Sequence, residues 1–381
     1  MEFSWTPDQL ELREAIIAFA ERSLNDDLIR RDREKSFSRE FWSACAEIGI
    51  QGLPFPEEYG GGGQNVLTAV QAMEALGYGC ADNGLNFGIA AQMWSVQMPI
   101  HRFGTPDQRQ RYLTRLCSGE WIGAHGMSEP DSGSDAFSLR TSARREGDGY
   151  VLNGTKTFVS EGPIADLYLV FATVDPALGA LGITGFLVER DSPGFQVGNP
   201  IEKMGLRTSP MSELIFDDCR VPIENRLGRE GRGAGIFNDS MEWERACILA
   251  GCLGTMERQL DTCKRYAHDR RQFGKPIGEF QSVANKLVAM KVRLETSRLM
   301  LYKAAWLKQQ EQPAAAEASI AKLYVSEAFI QSCLDTVQIH GGYGYTTEYE
   351  VERDLRDAIG STLYSGTSEI QRAIIARSLG F

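Results

Sequence analysis

A carboxylate sits where helical spacing calls for an apolar side chain. Phe237, Met241, Ile248, Cys252 and Thr255 form one stripe, and Glu244 falls on it, three residues after Met241 and four before Ile248. Such a carboxylate is paired or functional, because an isolated buried charge is costly. With Arg245 beside it, the feature alone favours a structural Glu–Arg pair over a general base. The tail Tyr364-Ser365-Gly366-Thr367-Ser368-Glu369-Ile370-Gln371 is a second dense polar segment. By itself it reads as a turn and cap: Gly366 permits an unusual backbone, and Thr367 or Ser368 can cap the helix that follows.

Other chemistries lack their residues. There is no G-x-x-x-x-G-K-[ST] loop and no G-x-S-x-G elbow. Gly228–Gly235 does not spell G-x-G-x-x-G and follows no βαβ unit, so it reads as a flexible connection. The four histidines are scattered, none of the eight cysteines forms a C-x-x-C pair, and no metal site is expected. A net charge of −11 argues against a nucleic-acid partner. No apolar run approaches a membrane span, and Met1-Glu2-Phe3-Ser4-Trp5 lacks the basic flank and apolar core of a secretory signal. Scattered, reduced cysteines then point to a cytoplasmic protein.

The elements that must position these residues come in three blocks. Up to about Cys117 the chain reads helical, opened by a capping box at Thr6-Pro7-Asp8-Gln9 and with a second helix from about Val66 to Leu76. From about Trp121 to Pro222 short β-rich runs dominate, at Tyr150–Leu152, Leu167–Phe171, Ile183–Val188 and Leu214–Phe216, with Asp148-Gly149 and Asn153-Gly154 as turns. They do not alternate with helices as a doubly wound sheet would require. Long helical stretches follow, from about Phe237 to His268, Phe280 to Gln310 and Ala314 to Ile339, which suggests a bundle.

Four segments read together resemble the acyl-CoA dehydrogenases, a flavoprotein family. Met127-Ser128-Glu129-Pro130-Asp131-Ser132-Gly133-Ser134-Asp135 is similar to their flavin loop, and Arg270-Arg271-Gln272-Phe273-Gly274-Lys275-Pro276-Ile277 to their R-x-x-F-G segment. Gln338-Ile339-His340-Gly341-Gly342-Tyr343-Gly344-Tyr345 resembles their Q-x-x-G-G-x-G-[YF], and the tail their Y-x-G-T-x-x-I-Q. The resemblance implies a mainly α fold with a β domain: a helical N-terminal domain over 1–120, a barrel-like β domain over 121–230 and a four-helix bundle over 231–381.

It also implies roles. Met127, Ser128 and Ser134 should lie at the flavin ring of an FAD, with Phe158 and Ser160 as further contacts. Arg270, Phe273, Gln338 and Gly342 should reach the FAD pyrophosphate and adenosine of a neighbouring subunit, and Thr367 and Glu369 should touch FAD too. Cofactor shared across subunits implies a homo-oligomer, commonly a tetramer in the family. Many members carry the catalytic base where this chain has Ser365. The isovaleryl-type members carry it on the first bundle helix before an Arg, which here is Glu244-Arg245. Two independent observations thus converge on Glu244 as base, with Arg245, Ser365 and Ser134 at the substrate. The implied reaction is α-proton removal by Glu244 with β-hydride transfer to the flavin, the thioester carbonyl being polarised by the Ser365 N–H.

Ser240-Met241-Glu242-Trp243-Glu244-Arg245-Ala246-Cys247, Leu253–Leu260, Gly182–Phe186 and Ser365-Gly366-Thr367-Ser368 look closest to the prolyl-carrier-protein dehydrogenases of natural-product biosynthesis. The expected substrate is L-prolyl on a carrier's phosphopantetheine, the alternative a short- or branched-chain acyl-CoA. Either electron-transferring flavoprotein or oxygen would take the electrons.

Overall fold

A computed structural model describes residues 4–381, so Met1-Glu2-Phe3 of the segment read as lacking a secretory signal lies outside the described residues. The first block folds as helices α1 (Pro7–Ser23), α2 (Leu28–Glu34), α3 (Arg39–Glu47), α4 (Val66–Gly79), α5 (Asn83–Ala91), α6 (Met98–Phe103), α7 (Pro106–Gln108) and α8 (Thr114–Cys117). The capping box is formed: Thr6 Oγ1 accepts from the Gln9 N–H at 3.3 Å, and Gln9 Oε1 accepts from the Thr6 N–H at 3.0 Å. Between α5 and α6 the helix widens into a π-helical stretch, Gln92–Gln97. Such wide turns re-aim side chains and are frequent at functional sites.

The middle block is an eight-stranded sheet. Its strands are β1 (Gly123–Gly126), β2 (Ser142–Glu146), β3 (Gly149–Ser160), β4 (Leu167–Thr173), β5 (Ile183–Glu189), β6 (Phe195–Val197), β7 (Met211–Pro222) and β8 (Arg226–Leu227). The order is β6-β7-β3-β2-β4-β5-β8, with β1 parallel beside β4. β4 is buried along its whole length, which accounts for the apolar run from Leu167 to Ala172. The expected turn at Asn153-Gly154 is corrected: both residues lie inside β3, where the β3–β7 register slips between Leu152 and Gly154. Gly154 takes φ +144, so the turn-like pair serves a bulge within one long strand.

The last block holds α9 (Gly233–Cys247), α10 (Ala250–Asp269), α11 (Gln281–Gln309), α12 (Ala315–His340), α13 (Val351–Gly360) and α14 (Ser368–Ser378). The stretch expected as one helix from Phe237 to His268 is two helices, interrupted at Ile248–Leu249. Periodicity runs through because Ile248 keeps αR dihedrals. The second half of the glycine-rich connection, from Gly233, is the first turn of α9. α10 crosses α4 backbone to backbone: a Cβ on Gly254 would stand 2.0 Å from the Glu74 carbonyl oxygen. That contact docks the bundle on the N-terminal helices. Among the described residues no helix is long and apolar enough to cross a membrane, and all eight cysteines are unpaired.

Candidate active site

α9 carries Glu244 into the interior, where it is buried. The expected Glu–Arg pair does not form. The Arg245 Nε instead donates to the Ser365 carbonyl at 2.9 Å. Glu244 accepts from two hydroxyls, Ser365 Oγ on Oε1 and Ser95 Oγ on Oε2. Ser95 lies in the π-helical stretch, and no motif in the sequence marked it. Burial pushes the Glu244 carboxyl above the ordinary carboxylate range, while Ser365, Ser95 and the charges of Arg245 and Lys322 draw it partly back. A carboxylate raised by burial is a better proton acceptor than an exposed one.

The segment facing it is held under tension by its own backbone. Ser365 sits at φ +58 and Gly366 at φ +90. For a serine that conformation persists only where the surroundings impose it. Here three donors do so. Besides Arg245 on the Ser365 carbonyl, the Lys322 Nζ donates to the Gly366 carbonyl at 2.7 Å, and the Gln371 Nε2 donates to both, at 3.1 and 2.8 Å. The Ser365 N–H itself has no acceptor among the described residues. Thr367 caps α14, its Oγ1 accepting from the Ile370 N–H at 3.4 Å, while Glu369 is exposed.

Lys322 was invisible to the motif reading, lying in the middle of α12. It is fully buried, and burial with the neighbouring Arg245 charge pulls its amine down to about 8. Lys322→Met should lower the rate of substrate oxidation about tenfold or more, since hydrogen bonds to charged groups are worth about 1.5–3 kcal/mol. Losing a nearby cation also raises the Glu244 carboxyl, so the acidic limb of the pH–rate profile should move to higher pH. A slower variant with an unmoved limb would make Lys322 merely structural.

The flavin-loop residues gather elsewhere on the sheet. Glu129 and Lys156 form a buried ion pair at 2.7 Å, and the Lys156 Nζ also donates to the Met127 carbonyl at 3.1 Å. Glu129 accepts from the Arg140 and Thr141 N–H groups at 2.7 and 3.0 Å. Burial pushes Glu129 up, but Lys156 and these donors outweigh it and hold it below the ordinary carboxylate range. The Thr157 N–H donates to the Ser128 carbonyl at 2.9 Å, so Met127-Ser128 lies against the end of β3. There a second register slip, between Lys156 and Val159, turns Phe158 outward at φ +56 and 63% exposure. Ser160 ends the strand half-buried, and Ser134 is exposed on the loop.

Arg270 and Gly342 form a third group. They line one surface concavity with Tyr266, His340 and Tyr343, and the Arg270 guanidinium stands 5.5 Å from the Tyr343 ring centre. Gln338 is exposed one turn before, and Phe273, at φ +51, is 94% exposed. Among the described residues no hydrogen bond or ring contact joins Arg270, Phe273, Gln338 or Gly342 to the first two groups.

Three family models match in series: the acyl-CoA dehydrogenase N-terminal domain over residues 6–120, the middle domain over 124–219 and the C-terminal domain over 231–380. The chain therefore belongs to the acyl-CoA dehydrogenase family. It is 45% identical to the L-prolyl-[peptidyl-carrier protein] dehydrogenase of Pseudomonas fluorescens over 349 residues, 91% of this chain and 92% of that one. It is similar in structure to the prolyl acyl carrier protein oxidase AnaB, with a TM-score of 0.98 at 52% identity over 99% of this chain and 100% of the other. It is likewise similar to PigA with FAD and proline, with a TM-score of 0.97 at 40% identity over 100% and 99% of the two chains.

Proposed function

We propose that this chain is an FAD-dependent dehydrogenase that oxidises an L-prolyl group held as a thioester on a carrier protein. The observation that carries the chemistry is Glu244, a buried carboxylate held by two hydroxyls and facing a clamped turn with a free N–H. The relatives supply the acyl group: two of the most similar are described by their prolyl carrier substrates.

The chain fits FAD. Phe158 and Phe273 expose large rings at positive-φ backbone positions, and strain of that kind gathers at ligand sites. Met127, Ser128, Ser134, Phe158 and Ser160 would hold the ring, with Thr367 and Glu369 beside it. Arg270, Phe273, Gln338 and Gly342 would hold the pyrophosphate and adenosine of a neighbouring subunit's cofactor. FAD, when bound, supplies the acceptor for the hydride. Glu244 takes the Cα proton, which the thioester has acidified. The Ser365 N–H polarises the thioester carbonyl, and the Arg245, Lys322 and Gln371 donors keep that N–H in place.

Sharing of FAD requires a homo-oligomer, which we take to be a tetramer. The exposed apolar side chains Val288, Val292 and Leu299 lie on one face of α11 and support a helix-to-helix contact between copies.

Mixing the holoenzyme anaerobically with L-prolyl carrier protein should bleach the flavin within the first turnover. Butyryl-CoA and isovaleryl-CoA should bleach it far more slowly. The reverse order would return the acyl-CoA reading.

A further inference from the structure

Resting on that carrier-protein reading, we infer that the carrier docks on a surface made by the turn 175–182 and the connection 228–233, through Leu178, Leu181, Arg229 and Arg232. The two leucines are 54% and 67% exposed on a turn held by hydrogen bonds at both ends. The Val174 N–H donates to the Gly182 carbonyl at 2.8 Å, and the Ala177 N–H to the Asp175 carboxylate at 2.9 Å. The connection is locked to this turn. The Gly231 N–H donates to Thr184 Oγ1 at 2.9 Å, and a Cβ on Gly231 would stand 2.6 Å from the Leu181 carbonyl oxygen.

Arg229 and Arg232 are exposed, and neither has an acidic partner among the described residues. On a chain of net charge −11, two unpaired arginines beside two exposed leucines form a local cationic and apolar patch, since Glu230 between them is taken up by Tyr150 and Arg226. Carrier domains present an acidic helix with apolar side chains around the serine that bears the arm. Charge and apolarity therefore match at one place.

The patch also lies at the right distance from the chemistry. Arg232 is the N-cap of α9, and Glu244 follows twelve residues later. At 1.5 Å per residue that is about 18 Å of helix, comparable with the reach of an extended phosphopantetheine arm. Ala234, Phe237, Met241 and Glu244 share one face of α9. They pass from half-buried at the patch to buried at the base. The first half of α9 thus spans the distance that the arm must bridge.

The test compares two thioesters of the same proline. In the double variant Arg229→Glu with Arg232→Glu, KM for prolyl carrier protein should rise about tenfold or more, and its dependence on salt should flatten. The rate with prolyl-pantetheine, which has no protein to dock, should stay within about twofold of the parent. Leu181→Asp should behave alike, and FAD content and melting temperature should report an intact fold. An unchanged KM for the carrier overturns the docking surface. So does an equal loss on both thioesters, which would place the damage at the reacting group instead of at a docking surface. If the parent itself fails to oxidise prolyl carrier protein while turning over acyl-CoA, the substrate reading has failed and the docking surface falls with it.

Discussion

Glu244→Gln is expected to slow flavin reduction by prolyl carrier protein about 10²–10⁴-fold, the usual worth of a positioned base, with FAD content and fold retained. Gln keeps the size of the side chain and still offers a carbonyl oxygen to Ser95 or Ser365, so the pocket need not rearrange. What it cannot do is take the Cα proton. Burial holds the native carboxyl above its ordinary range, so the parent's rate should rise with pH through a limb placed above that range. The variant should lack this limb. Ser365→Ala should cost far less, because the clamp fixes the backbone of that turn from three sides. It removes a donor that favours the carboxylate, so the limb should move to still higher pH. Single-turnover reduction by stopped flow separates these effects from carrier release. Near-normal reduction by Glu244→Gln would defeat the assignment of the base.

Lys156→Met should have the second largest effect, on stability and cofactor together. Lys156 is 0% exposed, and its loss would leave Glu129 buried without a cation. Breaking a buried pair from one side costs about 3–5 kcal/mol. The same amine holds the Met127 carbonyl, so the loop proposed to cover the flavin ring should loosen and purified protein should be short of FAD. Denaturant midpoints and the flavin-to-protein absorbance ratio would show both. Adding Glu129→Gln removes the orphaned charge and should restore part of the stability, but not the hold on Met127. Full FAD occupancy and an unchanged midpoint in Lys156→Met would refute the role given to this pair.

Much of this was legible in the residues. The three blocks follow from local rules, because helical and strand periods and capping chemistry are fixed by neighbours in sequence. The opening capping box at Thr6 and the long helices α11 and α12 lie within a residue or two of where spacing placed them. Glu244 stood out for a physical reason too: a carboxylate on an apolar stripe breaks the pattern that burial imposes. Some local signals misled. Asn153-Gly154 spells a turn, but pairing with β7 draws it into a strand as a bulge. Arg245 beside Glu244 spells an ion pair, but adjacent residues on a helix point in different directions, and the arginine finds a carbonyl 120 residues away.

The sequence by itself determined the class of fold, the family motifs and the one carboxylate out of place, since each is written in types and spacings within a few turns of chain. Only the tertiary structure decided what surrounds that carboxylate. Ser95 comes from a π-helical stretch of the first block, Lys322 from the middle of α12 and Ser365 from the tail. These residues are far apart along the chain, and each is unremarkable in its own segment. They meet because α9 packs between the N-terminal helices and α12, and long-range packing of that kind leaves no local pattern to read.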